Sequence, residues 1–402
     1  MRISTNQMQQ QGVNSMLEQQ ALLSKTQLQV STGKRILTPA DDPAAAAQVL
    51  SLMQEKEVTG QYQSNAEAAN SRLSLEEQTL SGVGDLLQRV RELAVQANNA
   101  HLSNENRLSI AQEVRQRLDD LLGLANTKDA NNEYLFSGYQ GSTQPFSQNA
   151  AGGFTYSGDE GQRYLQIGPA RQVAVGDSGT DVFRAIRNGN GVFTTQESPL
   201  NTGSGVIDPG TATSGFVQDT YTLAFAQVSP TAPITYTVTG AVSGVVTSGT
   251  YGSGNSIAFN GAQTKVTGTP ANGDSFTVTP SANQDIFTTL QSFAKALETP
   301  VNGAASQAHF NNAINRTLVD LDNGLGNILD VRTKIGARIN SIDAQKDIND
   351  GFKLQVQTTL STLQDLNYVE AVSRLNLQLT GLQAAQQSFI KIQGLSLFNF
   401  IR

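Results

Sequence analysis

Hydrophobic positions recur with a helical period toward both ends of the chain and with a strand-like period in the middle, so three zones are legible from patterning alone. Counting from Val13 at about 100° per residue, Met16, Leu17, Ala21, Leu23, Leu28 and Val30 share an arc of roughly half a helix. Near the other end Leu360, Leu363, Ala371, Leu375, Leu379, Leu382, Ala385, Phe389 and Ile392 share a second arc, while Leu366, Leu377, Ile390 and Leu395 spread over the remaining surface. A helix apolar over so much of its circumference needs several neighbours. Both stretches are also rich in Gln and poor in charge. The pattern predicts a terminal helical assembly domain from residues 1–45 and 353–402, with an assembly interface of Val13, Met16, Leu17, Leu23, Leu28, Leu375, Leu379, Leu382, Phe389 and Ile392. The same arcs also suit two terminal helices closing a bundle within one chain.

Between these ends the pattern predicts a helical body. After a break at Thr38 to Asp42, Asp42 serves as an N-cap and Pro43 as the first helical residue of a helix running to about Asn98. Ser103 or Asn104 caps a second helix, with Leu108, Ala111, Val114, Leu118, Leu121 and Ala125 on one face. That face needs a partner, and far downstream Ile314, Leu318, Leu321, Leu325, Ile328, Ile335, Ile339 and Ile342 alternate steps of three and four, with Arg332 in the one missing position. A sustained seven-residue repeat winds left-handedly around its mate. Leu318, Leu321, Leu325, Ile328, Ile335, Ile339 and Ile342 are therefore assigned to a helical seam that draws the two ends of the chain together.

The middle reads differently. Residues 133–175 suggest hairpins, with Tyr134-Leu135-Phe136 as one strand and Phe154–Tyr156 turning at Ser157-Gly158-Asp159 toward Tyr164–Ile167. From about 190 to 283 Gly, Thr, Ser and Val dominate, and strands are expected at Tyr221–Phe225, Ile234–Val238, Ser256–Phe259, Lys265–Val266 and Ser275–Val278. Asp285 to Leu297 returns to helix. The expected fold is mainly α with a β-rich insert: long paired, coiled-coil-like helices from both chain ends, and a small β domain projecting from the middle. Its parts are the terminal domain, a helical body with β-hairpins over 46–185 and 285–352, and a β-rich surface domain over 186–284.

Composition narrows the function. The 402 residues suffice for two to four domains, and with 38% hydrophobic residues and a mean hydropathy of -0.28 no apolar run approaches membrane-spanning length, so no membrane insertion is expected. The start of the chain lacks the apolar core of a secretory signal, so an exported protein of this kind would use a route that does not read one. There is neither Cys nor Trp, which suits passage as an unfolded thread and removes redox chemistry. A net charge of -7 and pI near 5.0, with scattered Lys and Arg, argue against nucleic-acid binding.

Catalytic chemistry finds no footing. His101 and His309 fall at helix boundaries without ligand spacing. Asp41-Asp42 and Asp119-Asp120 are sequence neighbours, which point to different faces of a helix and do not form an acid–base pair. Gly249, Gly252 and Gly254 miss the dinucleotide fingerprint, and Asn315-Arg316-Thr317 matches a glycosylation triplet inside a heptad helix. No enzyme, cofactor or metal site is expected.

Several motifs, in order, carry a resemblance. Met1-Arg2-Ile3-Ser4-Thr5, Ser31-Thr32-Gly33-Lys34-Arg35-Ile36, Pro39-Ala40-Asp41-Asp42-Pro43, Tyr134-Leu135-Phe136-Ser137-Gly138 and Pro145-Phe146 resemble the flagellin-like axial proteins of the bacterial flagellum, and among them the hook-associated protein 3 family. The closing stretch agrees at Tyr368, Glu370-Ala371, Leu382 to Ala385 and Leu395 to Phe398. The resemblance covers both ends and the helical body and weakens in the insert. It implies a structural protein of the hook–filament junction, forming a ring with itself between a hook-side hook-associated protein and flagellin. It also implies type III export, a flagellar export chaperone and an extracellular location. Filament flagellin is the neighbouring alternative, and a surface adhesin on a helical stalk is the alternative from another class.

Overall fold

The computed structural model describes residues 5–99, 102–150 and 152–394. Met1 to Ser4, His101 and Leu395 to Phe398 lie outside them, as does the side chain of Ile392. Six α-helices follow in chain order among the described residues: α1 (Thr5–Thr32), α2 (Pro43–Ala97), α3 (Asn104–Ala125), α4 (Ile286–Glu298), α5 (Ala304–Gln364) and α6 (Tyr368–Gly394). Their starts follow from local chemistry. Asp42 Oδ1 accepts the Ala45 amide at 3.1 Å ahead of Pro43, Ser103 Oγ accepts from Asn106 at 3.2 Å, and Asp285 Oδ1 accepts from Thr288 at 2.6 Å. Each cap satisfies an amide that the first helical turn leaves unpaired. No helix ends at residue 353: α5 runs through it, and the helical path is interrupted at Asp365 to Asn367. Leu360 and Leu363 therefore belong to α5 rather than to the last helix.

The chain divides into two compact units, Met1–Ser64 with Gln345–Arg402, and Asn65–Ala344. In the first, α1 lies along α6, and Val49, Leu52, Val356, Leu360 and Leu363 form a small core between the start of α2 and the end of α5.

The second unit is built on a heptad seam that is longer than the sequence reading recognised. On α2, Ala66, Ala69, Leu73, Glu76, Leu80, Val83, Leu87, Val90, Ala94 and Ala97 alternate steps of three and four, and all are fully buried. On α5, Ile314, Leu321, Ile328, Ile335 and Ile342 are buried at strict seven-residue spacing, with Leu318, Leu325 and Ile339 half-buried between them. Cross-helix pairs set an antiparallel register: Arg91 with Asp322, Glu77 with Arg332, and Asn70 with Asp343. Arg332, the missing step of the seam, reaches outward to Glu77 with Nε–Oε1 at 2.9 Å. α3 packs along α4, and an aromatic cluster of Phe136, Phe146, Phe183 and Phe287 closes the end of this core.

The hairpins are paired differently from the expectation. Tyr134-Leu135-Phe136 is not a strand; it is a turn-rich segment with a bridge between Lys128 and Tyr134 and backbone hydrogen bonds from Tyr134 to Gly141 and from Leu135 to Thr127. Phe154–Tyr156 pairs with Phe146–Gln148, and Tyr164–Gly168 pairs with Arg171–Ala174. Each strand takes the partner nearest in sequence, which closes the shorter loop at lower entropic cost.

In the insert, a five-stranded sheet runs in the order Gly244–Thr250, Thr235–Gly240, Tyr221–Ala226, Ser275–Pro280, Phe193–Glu197, with every neighbouring pair antiparallel. A second sheet is centred on Ala262–Thr267. Phe193, Tyr221, Leu223, Phe225, Val238, Val266, Phe276 and Val278 fill a core separate from that of the helices. Phe193–Glu197 and Gly244–Thr250 escaped the sequence reading because Thr, Ser, Gly and Gln blur their alternation.

Candidate assembly surfaces

The proposed interface residues lie on α1 and α6, which run antiparallel and close. A Cβ on Gly12 would sit 3.2 Å from the Phe389 ring, and one on Gly381 would sit 3.1 Å from Gln19 Oε1. The pair uses only part of each apolar arc. Leu23 is buried, and Met16, Leu375, Leu382 and Phe389 are half-buried. Val13, Leu17, Leu28 and Leu379 remain exposed, as do Leu22, Val369, Val372, Leu377 and Ile390. The intramolecular pair thus covers part of each apolar arc and leaves the other positions facing outward.

A clasp that the sequence reading passed over ties the end of α5 and the break after it to the loop between α1 and α2. Arg35 donates from its backbone to Gln364 O at 2.7 Å and from its guanidinium to Leu363 O at 2.9 Å, and the Leu366 amide donates to Gly33 O at 2.9 Å. Gly33 has φ of 69°, and a Cβ there would meet Tyr368 Oη at 2.9 Å, so this position needs glycine twice over. Asp41 accepts from Lys25 Nζ at 2.5 Å and from the amides of Leu37 and Thr38 at 3.0 and 2.9 Å. The Lys25 hydrogen bond first, then those two amides, hold its carboxyl well below the usual range. Asp41 therefore stays charged throughout the neutral range, and its bond to Lys25 is lost only in acid. Asp41 thus anchors this loop, and Asp42 caps α2.

The seam residues all face the helical core, but the same helix carries a second, polar row. His309, Asn312, Arg316, Asp320, Asn323 and Asn327 recur at steps of three and four on α5 and grip the backbone and acids of the β-rich segments. Asn312 accepts from the Ile207 amide at 2.9 Å and donates to Gly205 O at 3.2 Å. Asn323 donates to Arg187 O and Gly189 O, and Asn327 donates to Asp181 O and Val182 O. Arg316 forms a two-pronged ion pair with Glu197, and His309 Nε2 lies 3.1 Å from Asn201 O. Asp320 accepts the Gly189 amide at 2.8 Å, and burial raises its carboxyl above the ordinary value. The sequence signal was present as polar residues at heptad spacing beside the apolar row, but nothing local says that their partners are backbone groups and a carboxylate more than 100 residues away.

This ladder changes what the insert is. It is seated on α5 instead of hanging from two crossings, yet its seat is polar. Its two ends meet in a short antiparallel neck, Ile186–Arg187 with Asn283–Gln284, and the Asn188 amide donates to Ala282 O at 3.1 Å. Replacing residues 189–281 by a short Gly-Ser bridge should therefore leave the helical body folded, because the ladder it uncovers is wettable and the lost core is the insert's own. Thermal melting by circular dichroism checks this; an insoluble or non-helical product would mean the insert is integral to the body.

Among the described residues no group of three His, Cys, Asp or Glu is placed to hold a metal ion, and no helix is long and apolar enough to cross a membrane.

Two terminal helices paired with each other, a heptad-seamed helical body and a β insert carried on it define a flagellin-like axial protein. Residues 3–141 match the bacterial flagellin N-terminal helical region. Over 399 residues, 99% of either chain, the protein is 28% identical to flagellar hook-associated protein 3 of Escherichia coli (strain K12). The crystal structure of flagellar hook associated protein-3 from Legionella pneumophila, 36% identical, superposes with a TM-score of 0.76 over 78% of this chain and 98% of that one. A flagellin of Clostridium tyrobutyricum is 34% identical, but over 117 residues that make up 29% of this chain and 30% of its own. The chain belongs to the flagellar hook-associated protein 3 family.

Proposed function

We propose that this protein joins hook to filament as a ring of identical subunits, with the outward stripe on α1 and α6 as the contact between copies. Membership of the family makes it a structural component of the bacterial flagellum. The observation that carries the reading is the outward stripe itself: Val13, Leu17 and Leu28 share one face of α1, Val372, Leu379 and Ile390 share one face of α6, and all are exposed on helices that already hold an intramolecular partner. Exposed apolar rows of this kind mark surfaces that another chain covers. The hook-side neighbour is another hook-associated protein, the distal neighbour is flagellin, and an export chaperone covers the terminal helices before type III secretion to the cell exterior. A role as filament flagellin is the weaker reading, since similarity to flagellin reaches about a third of the chain while similarity to the junction relatives runs end to end. The groups that a catalytic reading would recruit already have structural work: Glu197 is held by Arg316, and Asp120 lies 3.4 Å from Arg117.

Deleting the gene should leave cells with hooks that lack filaments and with flagellin in the medium, as scored by electron microscopy and by blotting the supernatant. Normal filaments accompanied by a loss of surface attachment would instead favour an adhesin.

A further inference from the structure

The α2 seam from Ala66 to Ala97 has one ionisable member. Glu76 occupies a core heptad position, is fully buried, and stands among nine Ala, Leu and Val residues at the same spacing. It is not the partner of Arg332, which takes the adjacent Glu77. Its Oε1 accepts the Asp177 amide at 3.1 Å, and its Oε2 has no hydrogen-bond partner among the described residues. Close packing surrounds it: a Cβ added to Gly176 would lie 3.9 Å from that oxygen and 3.8 Å from Arg72 Nε.

The cations around Glu76 are already committed. Arg72, one turn earlier on α2, pairs with Asp129 and approaches Glu133 at 3.8 Å. Arg163, beside the Tyr164–Ala174 hairpin, pairs with Glu133 at 2.5 Å. Arg338 on α5 forms a two-pronged pair with Asp177 at 2.8 and 2.9 Å. Asp177 also accepts from Gln162 Nε2, whose side-chain oxygen receives the Tyr164 hydroxyl. Three guanidiniums thus face Asp129, Glu133 and Asp177, and Glu76 is the fourth carboxyl, without a cation of its own. A buried carboxyl so placed is held neutral.

We propose that Glu76 is a proton-operated latch: neutral, it holds the 175–178 segment and the adjoining Tyr164–Ala174 hairpin on the α2–α5 seam, and on losing its proton it loosens them. Loosening follows because ionisation puts a carboxylate into an apolar seam beside the Asp177 carboxylate. Among the described residues the one backbone donor that Glu76 engages belongs to Asp177; that bond favours the charged form, but burial and repulsion from the Asp177 carboxylate outweigh it, so the strain falls on the segment that carries the hairpin. Burial first, and the neighbouring Asp177 charge second, push the Glu76 carboxyl up from 4.5 to about 8. The folded chain therefore keeps a proton that the unfolded chain has lost. Stability declines as pH rises from about 4.5 to about 8 and levels off above, and the latch opens at the upper end of that window.

The test is amide hydrogen exchange on the full chain at about pH 6.5 and about pH 9, corrected for the intrinsic pH dependence of exchange, in the wild type and in Glu76→Gln. Glutamine keeps the acceptor for the Asp177 amide and cannot ionise. Wild-type peptides spanning residues 164–178 should lose about tenfold or more of their protection at the higher pH, while Glu76→Gln keeps it and insert peptides stay unchanged in both. Wild-type protection that persists to the higher pH, or an equal loss in Glu76→Gln, overturns the proposal. Infrared spectra supply a second readout: a neutral carboxyl band present in the wild type at the lower pH, gone at the higher, and missing from Glu76→Gln. Absence of that band from the wild type at the lower pH also overturns it.

Discussion

Leu321→Asp should leave little folded helical body. Leu321 is 0% exposed at a strict seam position, so the change removes roughly 1.5 to 3 kcal/mol of burial and asks a carboxylate to sit among Leu and Ile side chains. The combined cost, about 4 to 5 kcal/mol or more, lies in the range that unfolds a marginally stable domain. The matched control is Leu329→Asp, on the same helix but 56% exposed, where a change within about 0.5 kcal/mol is expected. Urea melts followed by circular dichroism separate the two. Equal stabilities would mean that the seam does not hold the body together.

The opposite signature is expected on the terminal helices. Leu17→Asp and Ile390→Asp alter side chains 59% and 67% exposed, so each purified variant should melt within about 0.5 kcal/mol of the wild type. Swimming should nonetheless be abolished, because a charge on a surface covered by another copy must be desolvated without a partner. Soft-agar motility of complemented deletion strains, read beside the melts, gives the result. Full motility with either variant would remove that stripe from the subunit contact. Destabilisation to the level of Leu321→Asp would mean that the stripe is already buried within one chain.

Much of the fold was legible because its signals are local or periodic. The capping side chains of Asp42, Ser103 and Asp285 act within one helical turn, so three helix starts follow from their immediate neighbours. The α5 seam from Ile314 to Ile342 was legible because a seven-residue apolar repeat has one economical use. Its partner row on α2 was harder to see, since four of its ten members are alanine and one is Glu76. The hairpin pairing was misread where two candidate partners lay within twenty residues, a choice that strand propensity does not make.

The candidate surfaces divide along the same line. The apolar arcs of α1 and α6 are sequence properties, and they alone indicate that these helices need company. Which stripe is spent on the intramolecular pair depends on where Gly12 admits the Phe389 ring and Gly381 admits Gln19, and that is a fact of tertiary packing. The polar ladder on α5 and the isolation of Glu76 are of the same kind. Periodicity records how often a side chain recurs on one face, so it determines which faces are buried and which elements form. It carries no record of what stands opposite, and the partners of Asn312, Arg316 and Glu76 lie about 100 residues away along the chain. Only the folded chain decides that Arg338 serves Asp177, that Arg332 serves Glu77, and that Glu76 is left with a proton instead of a cation.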